Sequence, residues 1–142
     1  IIGVPDKPGL AFKIFSKLSA KNINVDIILQ SVGRNGTKDI SFTVGQDNLK
    51  AAIEMLNPYA EALGASSVVY DENVAKVSIV GAGMESHPGV AAEMFEAMFE
   101  ANINIQMIST SEIKISVLIA AEDADKAVTA VHNKFFAEAL KA

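Results

Sequence analysis

"KNINVDIILQS", Lys21–Ser31, and "ANINIQMISTS", Ala101–Ser111, are one phrase written twice, eighty positions apart. In the first copy Ile23, Val25, Ile27 and Leu29 alternate with Asn24, Asp26, Ile28 and Gln30. That period of two marks a strand with one clearly apolar face. Both copies are led in by Asn-Ile-Asn, a spelling that a strand merely filling a sheet does not need. What flanks the copies decides how the chain folds.

Upstream, "IIGVPDKPGLAFKIF" from Ile1 is answered by "VSIVGAGMESHPGVAAEMF" from Val77, with two extra residues in the second loop. Gly3 matches Gly81, and Pro8-Gly9 matches Pro88-Gly89. Beyond the Pro-Gly pair, Ala11, Ile14, Phe15 and Leu18 correspond to Ala91, Met94, Phe95 and Met98, the i, i+3, i+4, i+7 stripe of an amphipathic helix. Downstream, "GRNGTK" at Gly33–Lys38 holds an Asn-Gly pair between two strands, a hairpin signal. Its far strand carries Ile40, Phe42 and Val44, echoed by Ile115, Val117 and Ile119. A second helix follows each: Leu49, Ala52, Ile53 and Leu56, then Ala124, Ala127, Val128 and Val131.

Each unit therefore reads strand, helix, strand, strand, helix. "SSVVYD" at Ser66–Asp71 predicts a further strand in the first copy, completing βαββαβ. This is the ferredoxin-like plan of the α+β class, an antiparallel sheet with two helices on one face. The second copy ends in its helix, at "FFAEALKA", so its fourth strand is missing, or comes from upstream of Ile1, or from another chain. The units are placed at residues 1–72 and 73–142. Units of about 60–70 residues are marginal alone, so these two are expected to pack together and to form a homodimer.

The composition bounds the function. Half of the 142 residues are hydrophobic, aromatics are 6%, and there is neither Trp nor Cys. A disulfide framework and a thiolate metal site are excluded. A net charge of -5 argues against a nucleic-acid partner, whose phosphates demand clustered Lys and Arg. No apolar run approaches the roughly 18 residues of a membrane span. The expected setting is soluble and cytoplasmic. The chain opens on Ile1 without Met and reads as a piece of something longer.

Catalytic signatures are not found. His87 precedes Pro88 in a loop and His132 sits beside a helical apolar stripe, so neither belongs to a metal-ligand spacing. No Ser lies in a Gly-x-Ser-x-Gly elbow. "GAGMESHPG" lacks the dinucleotide-binding spacing and the Lys of a phosphate-binding loop. Asp71-Glu72 and Glu122-Asp123 read as turn and helix-start charges. Met94, Met98 and Met107 read as core filler. No catalytic site, metal or cofactor is expected.

Two features remain. "PDKPG" delivers the chain into the first helix through Gly9, where unpaired N–H groups and the helix dipole suit a carboxylate. The next strand puts Asn24, Asp26 and Gln30 on its less apolar face, and Asp6 and Asp26 offer negative charge to an ammonium. Together they suit a free amino acid. A plainer reading stands beside this one: Pro-Gly starts the helix, and Asn22 and Asn102 close the helices before them. The residues alone leave both open.

At this point "GVPDKPG", "NINVDIILQSV", "DISFTV", "VAKVSIVGAGMESHPGV" and "NINIQMISTSEIKISVLI" resemble the paired ACT domains in the regulatory region of aspartate kinase, over essentially the whole chain. The resemblance implies feedback control by lysine, threonine or both over the phosphorylation of aspartate, exerted on an amino-acid kinase catalytic domain or subunit. It implies ACT units paired across a dimer, with effectors at the seams. Carried over by motif, the effector-binding residues are Asp6, Gly9 and Ala11 in the first loop, and Asp26 and Gln30 in the strand after it. Asn102, Asn104 and Ile105 supply the partner face, and Ser111 and Glu112 match positions of a second seam. The family's interleaved units also imply that a segment just before Ile1 completes the second sheet. The copies are unequal, because Gln106 and Thr110 stand where the first has Asp26 and Gln30. The first unit is therefore expected to grip the amino acid. Two other readings stay open, a ligand-blind dimerisation module and a free-standing amino-acid sensor. An RNA-binding ferredoxin-like domain would want exposed aromatics on its central strands and a basic face, and neither copy has them.

Overall fold

Ile14 and Leu18 in the first copy, and Met94 and Met98 in the second, are fully buried, and they set the two helices that begin each unit. The computed structural model describes residues 1–33, 35–81 and 87–136. It divides into two compact units between Tyr70 and Asp71.

In the first unit a short strand, β1 (Val4–Pro5), leads through Pro8-Gly9 into helix α1 (Leu10–Ala20). Strands β2 (Val25–Gln30), β3 (Thr37–Lys38) and β4 (Ile40–Val44) follow, then a 3-10 turn at Gln46–Asn48 and helix α2 (Leu49–Ala62). β2 pairs antiparallel with β4, and β1 with β3. The two ladders are joined at Ile1, which exchanges backbone bonds with Ile40 at 2.7 and 2.9 Å. Ala52, Leu56 and Ala60 of α2 close a core with Ile1, Val4, Ile14, Leu18, Ile23 and Ile40. Phe15 meets Phe42 edge-on at its margin, centroids 5.4 Å apart.

Three expectations change here. The strand predicted at Ser66–Asp71 contracts to one bridge, Ile2 with Ser67. In the antiparallel register of that bridge Gly3 faces Ser66 and Ile1 faces Val68, so Val69–Asp71 have no residue of that strand opposite them. Gly3 itself takes φ +69°, and its N–H donates to Asp39 Oδ1. A Cβ at Gly3 would collide with Ser66 Oγ, so the close approach also needs glycine. Second, β2 does not alternate cleanly. Val25 pairs with Val44 but Ile28 with Phe42, three positions against two, so a bulge sits at Asp26–Ile27. Ile27 N donates to Thr43 Oγ1 (3.0 Å) within it. Ile27 stays buried while Ile28 and Leu29 are exposed. Third, Gln30 lies directly opposite Ile40, so the alternation that set Asp26 and Gln30 on one face is interrupted between them.

The second unit runs β5 (Val74–Val80), α3 (Val90–Glu100), β6 (Met107–Thr110), β7 (Lys114–Ala120), a 3-10 turn at Ala121–Asp123, and α4 (Ala124–Phe136). Its three-stranded antiparallel sheet has the order β5-β7-β6. Ile115, Val117 and Ile119 of β7 share a core with Val77, Met94, Ala97, Met98, Ile103, Ala127 and Val131. On the other face of β7 Ser116 is also buried, and its Oγ lies 2.7 Å from Ser78 Oγ. Val128, expected in the stripe of α4, is 55% exposed. It sits about 100° around the helix from Ala127, and the buried arc is only as wide as Ala127 and Val131. Met107 is half-buried outside this core. Across the helices, Lys134 Nζ lies 3.2 Å from both Glu96 Oε2 and Glu100 Oε1. Partial desolvation opposes its charge, but the two carboxylates' hydrogen bonds and negative charge prevail and hold its pKa above the ordinary lysine value.

Candidate functional site

Gly9 takes φ +89° immediately before α1, a left-handed conformation in which a side chain is strained. Lys13 N donates the first helical bond to Gly9 O (3.0 Å). The N–H groups of Leu10, Ala11 and Phe12 therefore precede the helical ladder. Gly89 holds the matching place in the second unit with φ −78°, so the copies enter their helices differently. No Cβ-sized obstacle lies within 4 Å of Gly9, and the demand for glycine there comes from the backbone alone.

Asp6 is exposed beside this entry. Its N–H donates to Gly36 O (2.7 Å), and its Oδ1 accepts an ion pair from Lys38 Nζ at 2.9 Å. Ala11, half-buried, opens a shallow hollow of about 560 Å³ along the flank of α1, walled by Phe12, Phe15, Ser16, Ser19 and Ala20. Of the proposed effector residues only Ala11 lines it. Asp26 lies exposed in the bulge of β2 and Gln30 exposed at its end. The structure thus sorts the first unit's residues into a loop group, Asp6, Gly9 and Ala11, and a strand group, Asp26 and Gln30.

In the second unit Asn102 takes φ +57° after α3. Asn104 is exposed, and Ile105 is half-buried against the core. Ser111 and Glu112 lie exposed in the turn after β6, where Ser111 N donates to Lys114 O (2.7 Å). Gln106 and the four residues of β6 separate Asn102–Ile105 from Ser111–Glu112. Lys38 was not singled out from the sequence; the register of β1 against β3 is what brings it to the first loop.

Among the described residues no group of three or more His, Asp or Glu converges as metal ligands would, and no helix is long and apolar enough to cross a membrane. His87 O accepts from Val90 N (3.1 Å) at the start of α3, and the His132 ring packs on Phe136. Residues 82–86 of the "GAGMESHPG" loop lie outside the described residues, as do 137–142 of "FFAEALKA".

Two ferredoxin-like units, each beginning strand-helix-strand and joined in one chain, make a tandem ACT protein. Family models described as ACT domain match residues 1–59 and 77–135. The regulatory subunit of aspartate kinase from Thermus thermophilus, in a ligand-free form, is 44% identical. It aligns over 94% of this chain and 89% of its own at a TM-score of 0.85. A structure of aspartokinase alpha and beta subunits aligns over 95% of this chain and 88% of that chain, at 48% identity and a TM-score of 0.86. The aspartate kinase of Stutzerimonas stutzeri is 52% identical over 95% of this chain and 33% of its own length. The chain belongs to the aspartate kinase family, as its tandem ACT regulatory part. It spans about a third of the length of the curated relatives it matches. A more distant structure, E. coli aspartokinase III in complex with lysine and aspartate in a T-state, aligns over 92% of this chain and 28% of that one. Its identity is 25% and its TM-score 0.65.

Proposed function

We propose that this chain senses a free amino acid, lysine, threonine or both, and relays feedback inhibition to an aspartate kinase catalytic domain or subunit. The carrying observation is the left-handed Gly9 at the entry to α1, beside Asp6 and present in the first copy alone. The helix entry suits the effector carboxylate, and Asp6 and Asp26 suit its ammonium. Family membership supports the regulatory role, and the lysine-bound relative supports the effector class.

The hollow on α1 holds Ala11 alone of the named residues, so a complete site needs a further wall. The outer edges of β2 and β6 carry no partner strand among the described residues. In this reading a homodimer supplies that wall, with Asn102, Asn104 and Ile105 contributed by a partner chain and Ser111 and Glu112 serving a second seam. An effector that binds one arrangement better than another shifts activity by that difference, typically about 1–3 kcal/mol.

Thermal unfolding with millimolar lysine, threonine, both together, methionine, and glycine as control tests the proposal. Ligand at a hundredfold its Kd stabilises by about 2.7 kcal/mol, a rise of several degrees in the midpoint. A selective rise with lysine or threonine, abolished by Asp26→Ala or Gln30→Ala, is the expected result. No rise with any of them favours the ligand-blind dimerisation module.

A further inference from the structure

We propose that Lys38 sets the effector affinity of the first unit's site, as an internal cation that competes with the effector's ammonium for Asp6. The inference rests on the effector reading above. Val4 pairs with Lys38 and Pro5 with Thr37, and the next step is the bond from Asp6 N to Gly36 O. Asp6 and Lys38 are therefore diagonal neighbours on one face of the β1–β3 ladder, within reach of a long side chain. Their ion pair closes at 2.9 Å on Oδ1.

The other oxygen, Oδ2, lies on the Gly33 side of the loop, 3.4 Å from where a Cβ on Gly33 would stand. An ammonium approaching Asp6 meets a carboxylate already neutralised on Oδ1, and must displace Lys38 or share with it. The side chains of Lys38 and Asp6 are 28% and 47% exposed, so solvent screens the pair and its effect is modest. The Asn-Gly turn thus does more than reverse the chain, because it delivers a charge to the first loop.

The test is calorimetric measurement of Kd for L-threonine and L-lysine on the full-length protein, wild type, Lys38→Met and Lys38→Arg, at low and high salt. Methionine keeps the apolar stem and removes the charge. Lys38→Met is expected to bind the effector about two- to fivefold more tightly, the range for an exposed ion pair, with the gain shrinking as salt rises. Lys38→Arg, which keeps the charge, is expected to stay at wild-type affinity. Wild-type binding with Lys38→Met unchanged or weaker overturns the competition while leaving the effector reading intact. A gain that ignores salt, or appears equally in Lys38→Arg, also overturns it, since a packing effect behaves so. No binding to any of the three proteins ends the effector reading, and this inference falls with it.

Discussion

Asn22 and Asn102 hold the same backbone angle, φ +57°, one residue past the caps of α1 and α3. In each, two backbone bonds close the helix: Asn22 N to Ser19 O and Ile23 N to Leu18 O, then Asn102 N to Phe99 O and Ile103 N to Met98 O. This is the Schellman pattern, and asparagine tolerates the left-handed turn better than most residues. The isoleucine after it is buried in each copy, Ile23 in one core and Ile103 in the other. Most of the repeated Asn-Ile-Asn is therefore explained by helix closure and core packing, which the sequence had left as the plainer of two readings. What helix closure does not explain is the difference between Asp26 and Gln30 and their counterparts Gln106 and Thr110. Asn22→Ala is expected to destabilise the first unit by up to about 1–2 kcal/mol, because alanine keeps the Cβ strain of the left-handed conformation and loses the short polar side chain that offsets it. Asn22→Gly is expected to match or slightly exceed wild type. Urea unfolding of both variants checks this, and equal losses in the two would show that the asparagine side chain, and not the turn, is what matters. Lys38 was invisible at this scale, because a lysine in a hairpin carries no signal until the register of β1 against β3 sets it beside Asp6.

Helices α3 and α4 are tied by Lys134, which lies between Glu96 and Glu100. Its raised pKa gives the contact a definite pH dependence. A lysine whose folded pKa exceeds its unfolded value contributes full stability below the unfolded value, about 10.4, and loses it as pH rises through the folded one. Wild type is thus expected to lose stability above about pH 10.4 more steeply than Lys134→Met. Denaturant midpoints at pH 8, 10 and 11 check this, and parallel curves would dismiss the clamp. The helices themselves were legible because their stripes are long and regular: Ile14 and Leu18, or Met94 and Met98, stand where a 3.6-residue period puts them. The strands were less so. An extra residue at Asp26–Ile27 reverses the parity of everything beyond it, and no composition signal marks the bulge. The Ser66–Asp71 strand failed for a non-local reason: with Ile2 opposite Ser67, the antiparallel register leaves Val69–Asp71 beyond Ile1. Of the two, only the bulge touches the candidate site, because it breaks the alternation between Asp26 and Gln30.

At the scale of the molecule, each unit taken by itself has strand edges with no partner strand among the described residues. In the second unit, Gly81 N bonds Ile113 O and Ala121 N bonds Asn73 O, which makes the odd-numbered residues of β5 the hydrogen-bonded partners of β7. The even-numbered positions, Val74, Ser78 and Val80 among them, direct their backbone N–H and C=O to the opposite edge, where no strand lies among the described residues. The close Ser78–Ser116 pair agrees, since side chains approach most closely at non-hydrogen-bonded positions. A ferredoxin-like sheet has its fourth strand at that edge, and an uncovered edge invites pairing. We expect a strand to occupy it in the assembled full-length protein. Amide hydrogen exchange reads this residue by residue. The amides of Val77 and Ile79 should be protected in every state, because β7 holds them. Those of Val74, Ser78 and Val80 should be protected too. Protection that persists on dilution places the covering strand in the same chain, and protection that fades with dilution places it in a second copy. If these three exchange as fast as loop amides at every concentration, the edge is bare, and the second unit is a three-stranded sheet in its working form.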